Sequence, residues 1–168
     1  MTETAIRKQE TAKTAPAKEG KYLTFALTNE EFGLEIVKVR EIIGYIDVTA
    51  VPQMPAHVKG VVKLRGQVIP VVDLRARFGM EAVEVTDQTC IIVVETARDD
   101  RTYSTGVVVD RVLEVLDINE GDIEECPPFG ASVNTEFILG MAKIQESVKI
   151  LLDIDRVLGG VNLGGLGG

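Results

Sequence analysis

The sequence predicts an all-β fold with a few short helices, built as two similar halves. Three observations carry this. Residues 58–79, VKGVVKLRGQVIPVVDLRARFG, recur 80 positions later at 138–159 as ILGMAKIQESVKILLDIDRVLG. Five of the 22 aligned positions are identical, Gly60/Gly140, Lys63/Lys143, Val68/Val148, Asp73/Asp153 and Gly79/Gly159, where average composition gives roughly one or two by chance. Repetition over this distance marks a duplicated supersecondary unit. Second, the chain is 45% apolar but only 5% aromatic with no Trp, so its core is aliphatic and rich in Val and Ile, which suits strands. Third, short aliphatic runs alternate with turn signals about every 8–12 residues, the pattern of a barrel or sandwich. In 168 residues, two five-stranded barrels joined along an apolar seam satisfy both the repeat and the length.

Taken in order, residues 1–20 are polar and Lys/Thr/Ala-rich, a disordered arm. Tyr22–Leu27 alternates as a strand, and after a turn at Thr28–Glu31 the run Phe32–Ile36 is its hairpin partner. Val37–Ile43 fits either one helical turn or a continued strand. Ile46–Pro55 is extended, with Pro52 and Pro55 unable to pair at their own positions. Val58–Leu64 and Val68–Val72 form a hairpin turning at Arg65-Gly66-Gln67, where Gly66 supplies a positive φ. Leu74–Phe78 is a short helix closed by Gly79. Residues 79–88 join the halves. The second half repeats the scheme: strands at Thr89–Glu95 and Tyr103–Val109, then Asp110–Val115, whose Val112, Glu114 and Val115 match Val39, Glu41 and Ile42 at an offset of 73. Pro127 and Pro128 stand as Pro52 and Pro55 do. The hairpin Ile138–Ile144/Val148–Leu152 and a helical turn at Ile154–Leu158 close the fold. Residues 159–168 hold six glycines in ten, a flexible tail.

Charge and composition exclude several functions. The net charge is −8, and the first 21 residues contribute +2, so the remaining 147 carry −10. So acidic a body is a poor match for a phosphate backbone, and nucleic acid is excluded as a partner. Cys90 and Cys126 lie 36 apart with no CxxC spacing, and His57 is the only histidine, so no zinc site forms. Cys90 opens an apolar run and reads as a buried reduced thiol. There is neither a signal peptide nor an apolar stretch long enough to span a membrane, and the cytoplasm is the simplest compartment.

No catalytic constellation emerges. His57, in PAHVKG, has no Ser or Cys motif beside it and reads as a loop histidine, exposed or half-buried. Asp153 and Asp155 could pair around a metal, but Asp73 occupies the position equivalent to Asp153 just before a short helix, so Asp73 and Asp153 read as helix N-caps. The glycine tail matches no phosphate-binding fingerprint, and no cofactor is implied. Glu41 and Arg65 admit two readings. One is a pair of ordinary solvated charges. In the other, Arg65 at a rigid hairpin tip anchors an interface, its planar fork gripping carboxylates or carbonyls. The two copies differ here, Arg65-Gly66 against Gln145-Glu146.

The motifs VREI, VPxxPxxVKGVVKLRGQVIPVVDLR, GVVVDRVLEV and LLDIDRVL together resemble the bacterial chemotaxis coupling family CheW, over about Tyr22 to Leu158. The resemblance implies two five-stranded SH3-like barrels related by a pseudo-two-fold, the first of about residues 36–85 and the second of about 22–35 with 86–158. It implies a non-enzymatic cytoplasmic adaptor, recruited to membrane receptor arrays, that bridges the tips of methyl-accepting chemotaxis receptors to the histidine kinase CheA through the kinase's own CheW-like domain. The same fold serving a twitching or gliding chemosensory system is the alternative. The family's receptor-contacting positions fall on Val39, Glu41, Gly60, Arg65 and Val68, and Lys63 stands where many relatives have Asn.

Overall fold

In the computed structural model of the chain, residues 19–98, 100–124 and 135–159 are described. Nearly all of the expected arm and glycine tail, with Cys126, Pro127 and Pro128, lies outside the described residues. The chain opens with the hairpin β1 (Gly20–Leu27) and β2 (Glu30–Glu35). The ambiguous stretch that follows is both of the things expected: a 3-10 turn at Ile36–Lys38, then strand β3 (Val39–Gly44). Between 45 and 57 the prolines leave only one isolated bridge, Thr49 to Val61. The hairpin β4 (Val58–Leu64) and β5 (Gln67–Asp73) leads into helix α1 (Leu74–Arg77). After an exposed connection come β6 (Cys90–Arg98), β7 (Arg101–Val109) and β8 (Arg111–Ile118), then the two-residue β9 (Ile123–Glu124). The hairpin β10 (Ile138–Ile144) and β11 (Ser147–Leu152) and helix α2 (Ile154–Gly159) complete the set.

The strands form two sheets, one ordered β3-β6-β7-β5-β4 and the other β8-β1-β2-β11-β10-β9. One sheet thus has the expected five strands and the other six, the addition being the short β9, which pairs with β10 where Thr49 pairs with Val61 in the first sheet. The two orders correspond strand for strand, and the equivalences follow the repeat. Both closing hairpins carry a register shift at the same place, between Val58 and Gly60 and between Ile138 and Gly140. Asp73 N–H donates to the His57 carbonyl and Asp153 N–H to the Phe137 carbonyl, each at 2.8 Å. Asp73 and Asp153 also cap their helices through side-chain oxygens, Asp73 from the Arg75 N–H at 2.9 Å and Asp153 from the Arg156 N–H at 3.2 Å.

Sequence halves and sheets do not coincide. The hairpin β1–β2 comes from the first repeat but pairs with β8 and β11 of the second. Reciprocally β6–β7 joins β3 and β5. The expected division put residues 86–109 with the second half, whereas the sheet pairing places them in the sheet built on 39–73. Linear order could not reveal this, because a hairpin is a local unit that pairs as readily with the other half as with its own. The joint where each exchanged hairpin docks in parallel is tight: Gly33 opposes Leu151 and Gly106 opposes Val71. A Cβ added at Gly106 would lie 2.8 Å from Ile91 Cγ2.

Alternation along the strands sorts side chains into three cores. Val71, Ile91, Val93 and Val108 face a core belonging to the first sheet, and Tyr22, Ile118, Ala142 and Leu151 one belonging to the second. Their neighbours Val72, Ile92, Val94, Leu23 and Leu152 face the larger core shared by both sheets. Four of the five phenylalanines run through that seam, Phe25 to Phe32 to Phe78 to Phe137, at centroid spacings of 5.6, 5.9 and 6.1 Å. Helices α1 and α2 cap it, with Arg77 Nε donating to the Val157 carbonyl at 2.8 Å.

Ion pairs pin the crossovers where the exchanged hairpins leave. Arg75 on α1 is buried and grips Asp110, between β7 and β8, with Nε–Oδ1 at 2.9 Å and Nη2–Oδ2 at 2.8 Å. It also donates to the Glu81 carbonyl at 2.7 Å and to the Thr28 hydroxyl. At the matching crossover between β2 and β3, Lys38 pairs with Asp155 of α2 at 2.7 Å. Asp155 stands 80 positions after Arg75, while Lys38 matches Arg111 rather than Asp110 at the offset of 73, so the second staple has the opposite polarity and uses the position next to the equivalent one. Asp155 Oδ2 is thus engaged by a lysine ammonium, which holds its own proton more firmly for that contact.

Burial opposes ionisation of Asp110, but the Arg75 guanidinium and the Thr28 N–H outweigh it and hold its carboxyl below the ordinary aspartate range. A lowered folded-state pKa contributes stability that is complete above the unfolded value, near ~3.9, and is lost as pH falls through the folded one. Asp110→Asn is therefore expected to cost about 3 kcal/mol near neutral pH, because Arg75 is left buried without its counter-charge, and to flatten the acid limb of a urea-denaturation series against pH. Gly106→Ala is expected to cost about 1–3 kcal/mol by overpacking against Ile91, read from the same urea midpoints.

Candidate functional site

All five residues singled out from sequence lie on the first sheet, and its two faces divide them. Glu41 and Arg65 meet. Arg65 Nη2 donates to Glu41 Oε1 at 2.7 Å and Nε to Oε2 at 3.2 Å, a forked contact. Glu41 is on β3 and Arg65 on the β4–β5 turn, at opposite ends of the strand order. The sheet therefore curls far enough for the hairpin tip to reach the opposite edge. The Arg65 hydrogen bond holds the Glu41 carboxyl below its usual range, so the pair stays ionised through neutral pH.

Local backbone geometry aims both groups. Arg65 and Gly66 have φ of 51° and 80°, the left-handed pair of a two-residue type I′ hairpin turn. Reading the turn from its glycine missed that Arg65 is itself left-handed, as is its counterpart Gln145 at 59°. On β3 a bulge at Arg40 separates Val39, opposite Val94, from Glu41, opposite Val93. Val94 faces the shared core and Val93 the first sheet's own core, so the bulge turns Glu41 to the face where Arg65 arrives.

Val39 and Val68 lie on the other face. Val39 packs against the shared core, and alternation puts Val68 with Val72 rather than with Ile69. Val68 is 53% exposed and available to a partner. Gly60 is a different case. Its φ is +149°, and a Cβ there would run into the Thr49 carbonyl. The strand-to-loop approach at the Thr49–Val61 bridge by itself requires glycine there.

Residues that the sequence did not single out complete the surface. Arg40, Glu41, Leu64, Arg65, Ile69 and Val93 line a depression of about 400 Å³. Arg40 Nη1 donates to the Ser104 hydroxyl at 2.9 Å, and its Nε lies 3.4 Å from Glu95. Glu95 and Ser104 face each other across β6 and β7. No local motif marks any of the three, since only the sheet brings 40, 95 and 104 together. His57 is half-buried, as one of its expected settings had it, and its Nε2 is enclosed without a hydrogen-bond partner among the described residues. Burial and then Arg77 push its pKa down, which keeps it neutral at pH 7. Cys90 is half-buried rather than buried, its thiol donating to the Gln88 carbonyl at 3.3 Å. Among the described residues, no helix is long and apolar enough to cross a membrane.

A duplicated, mostly β chain with exchanged hairpins and an ion-paired arginine at one hairpin tip has the form of an interaction module. Residues 21–161 match the family model described as CheW-like domain, and the chain belongs to that family. It is 37% identical to "Chemotaxis protein CheW" of Klebsiella aerogenes, over 82% of this chain and 80% of the relative. It is 29% identical to "Protein FrzA" of Myxococcus xanthus, over 79% and 82%. Among solved structures it resembles the scaffolding protein TtCheW of Thermoanaerobacter tengcongensis, with a TM-score of 0.74 and 32% identity over 84% of this chain and 89% of that one.

The account of Gly60 has a direct check. Gly60→Ala is expected to lower stability by more than about 2 kcal/mol, from the strained φ and the contact with Thr49 together. Thermal melts of the free protein should show this without any partner present.

Proposed function

We propose that the chain is a non-enzymatic adaptor that couples methyl-accepting chemotaxis receptors to the histidine kinase CheA in a cytoplasmic, receptor-associated array. The observation that carries this reading is the family match over residues 21–161, joined to a site made for contact rather than chemistry. Arg65 is 74% exposed at a rigid turn and is oriented by a more buried Glu41, which fixes a planar donor at the surface before any partner arrives. Glu41 and Arg65 form the centre of the receptor contact, with Val39 and Val68 contributing apolar surface from the other face. Gly60 acts through the backbone that supports them.

The physical logic suits an array. Two sheets of like topology present two unlike ends, each able to pack against a similar module in the kinase. Heterologous contacts of that kind close into rings when the rotation permits. Individually weak contacts become strong together through effective concentration.

Arg65→Glu and Glu41→Lys are each expected to abolish recruitment of the protein to receptor clusters, followed by fluorescence of a tagged chain, while circular dichroism and melting temperature stay those of the parent. Undiminished recruitment of both folded variants would remove these residues from the contact. A pull-down that recovers a kinase of a twitching or gliding system in place of CheA would keep the adaptor role and change the pathway.

A further inference from the structure

Resting on the reading of the Glu41–Arg65 surface as the receptor contact, we propose that Arg40 is a further specificity-determining residue, and that Arg40 and Arg65 together select a partner helix by a carboxylate side chain. The bulge on β3 is what makes this possible. In a regular strand, neighbours point to opposite faces. With Arg40 as the extra, unpaired residue, Arg40 and Glu41 instead line the same depression.

Each guanidinium there is held on one side and open on the other. Arg65 commits Nε and Nη2 to Glu41. Arg40 commits Nη1 to Ser104 and places Nε beside Glu95. Among the described residues, no hydrogen bond engages Arg65 Nη1 or Arg40 Nη2, and both guanidinium side chains line one cavity of about 400 Å³ whose aliphatic floor is Leu64, Ile69 and Val93. A carboxylate is the planar acceptor that matches such edges, and the aliphatic floor takes the methylenes that carry it. A dianion such as phosphate is disfavoured relative to a single carboxylate, because Glu41 and Glu95 already offset much of the charge of the two arginines. The internal repeat supplies a control: the counterparts of Arg40 and Arg65 in the second half are Leu113 and Gln145, so neither cation recurs there and the selection is confined to one half.

The test is calorimetric titration of the full chain with a coiled-coil fragment of a receptor tip at low salt. Arg40→Gln is expected to weaken binding about 5-fold, the scale of an exposed ion pair. Arg40→Glu is expected to weaken it more than about 20-fold, since like charges then meet. Glu95→Gln, which leaves Arg40 in place, should bind as the parent or more tightly; if Arg40 served only to hold Glu95, it would weaken binding as Arg40→Gln does. Changing one acidic residue of the receptor tip to Lys should restore Arg40→Glu and impair the parent chain. Parental affinity of both Arg40 variants, alongside lost binding by Arg65→Glu, would overturn the role of Arg40 and leave the receptor surface standing. Parental affinity of Arg65→Glu would overturn that surface itself.

Discussion

The fold depends on the reciprocal exchange of two hairpins, and the exchange depends on what holds each one across the seam. β1–β2 completes the sheet built on the second repeat, and β6–β7 completes the sheet built on the first. Neither repeat has a full sheet without the other, so the halves stand or fall together. At each crossover a helix that follows a closing hairpin is tied to the strand junction by an ion pair, Arg75 with Asp110 and Asp155 with Lys38. The two staples have opposite polarity and share only the helix position, Arg75 and Asp155, since Lys38 is equivalent to Arg111 and not to Asp110. The first is buried and forked and is saturated by Thr28 and Glu81. A desolvated guanidinium needs that saturation to be tolerated at all. The second is partly open to solvent and adds less.

The candidate site draws its geometry from this framework. Arg65 reaches Glu41 only because the first sheet curls, and the curl needs β6 and β7, which the second repeat supplies. A surface that belongs by position to the first half is thus assembled on strands of both. The shared core behind it, with its file of phenylalanines, fixes the relation between the two sheets. An adaptor must present its contacts at fixed separations, since effective concentration falls away when geometry is loose.

Duplication followed by divergence also accounts for two unlike surfaces on one scaffold. Val39/Val112, Glu41/Glu114 and Val68/Val148 persist in both halves. The cations do not: Arg40 and Arg65 face Leu113 and Gln145. Glu114 has its backbone groups bonded to the Thr24 hydroxyl, and among the described residues its side chain has no cationic partner. The backbone conformation of the hairpin tip is nonetheless common to both, with Gln145 as left-handed as Arg65. Side-chain chemistry diverged on a turn that did not.

By itself the sequence determined the strands, the closing hairpins, the capping aspartates and the family. Each of these is written in local alternation, turn residues or spacing within a few positions, and the 80-residue repeat marks equivalent elements directly. Glu41 and Arg65 could be singled out one at a time, through family motifs that are contiguous in the chain. The family resemblance already grouped 22–35 with the second half; tertiary structure alone decided that β6–β7 joins the first sheet, because strand pairing is set by burial of an apolar face and not by order along the chain. It alone gathered Arg40, Glu95 and Ser104 into one cluster. It alone separated Gly60, constrained by the Thr49 carbonyl, from residues whose side chains are free to meet a partner, since a steric limit imposed by a loop 11 residues away leaves the glycine as its only trace.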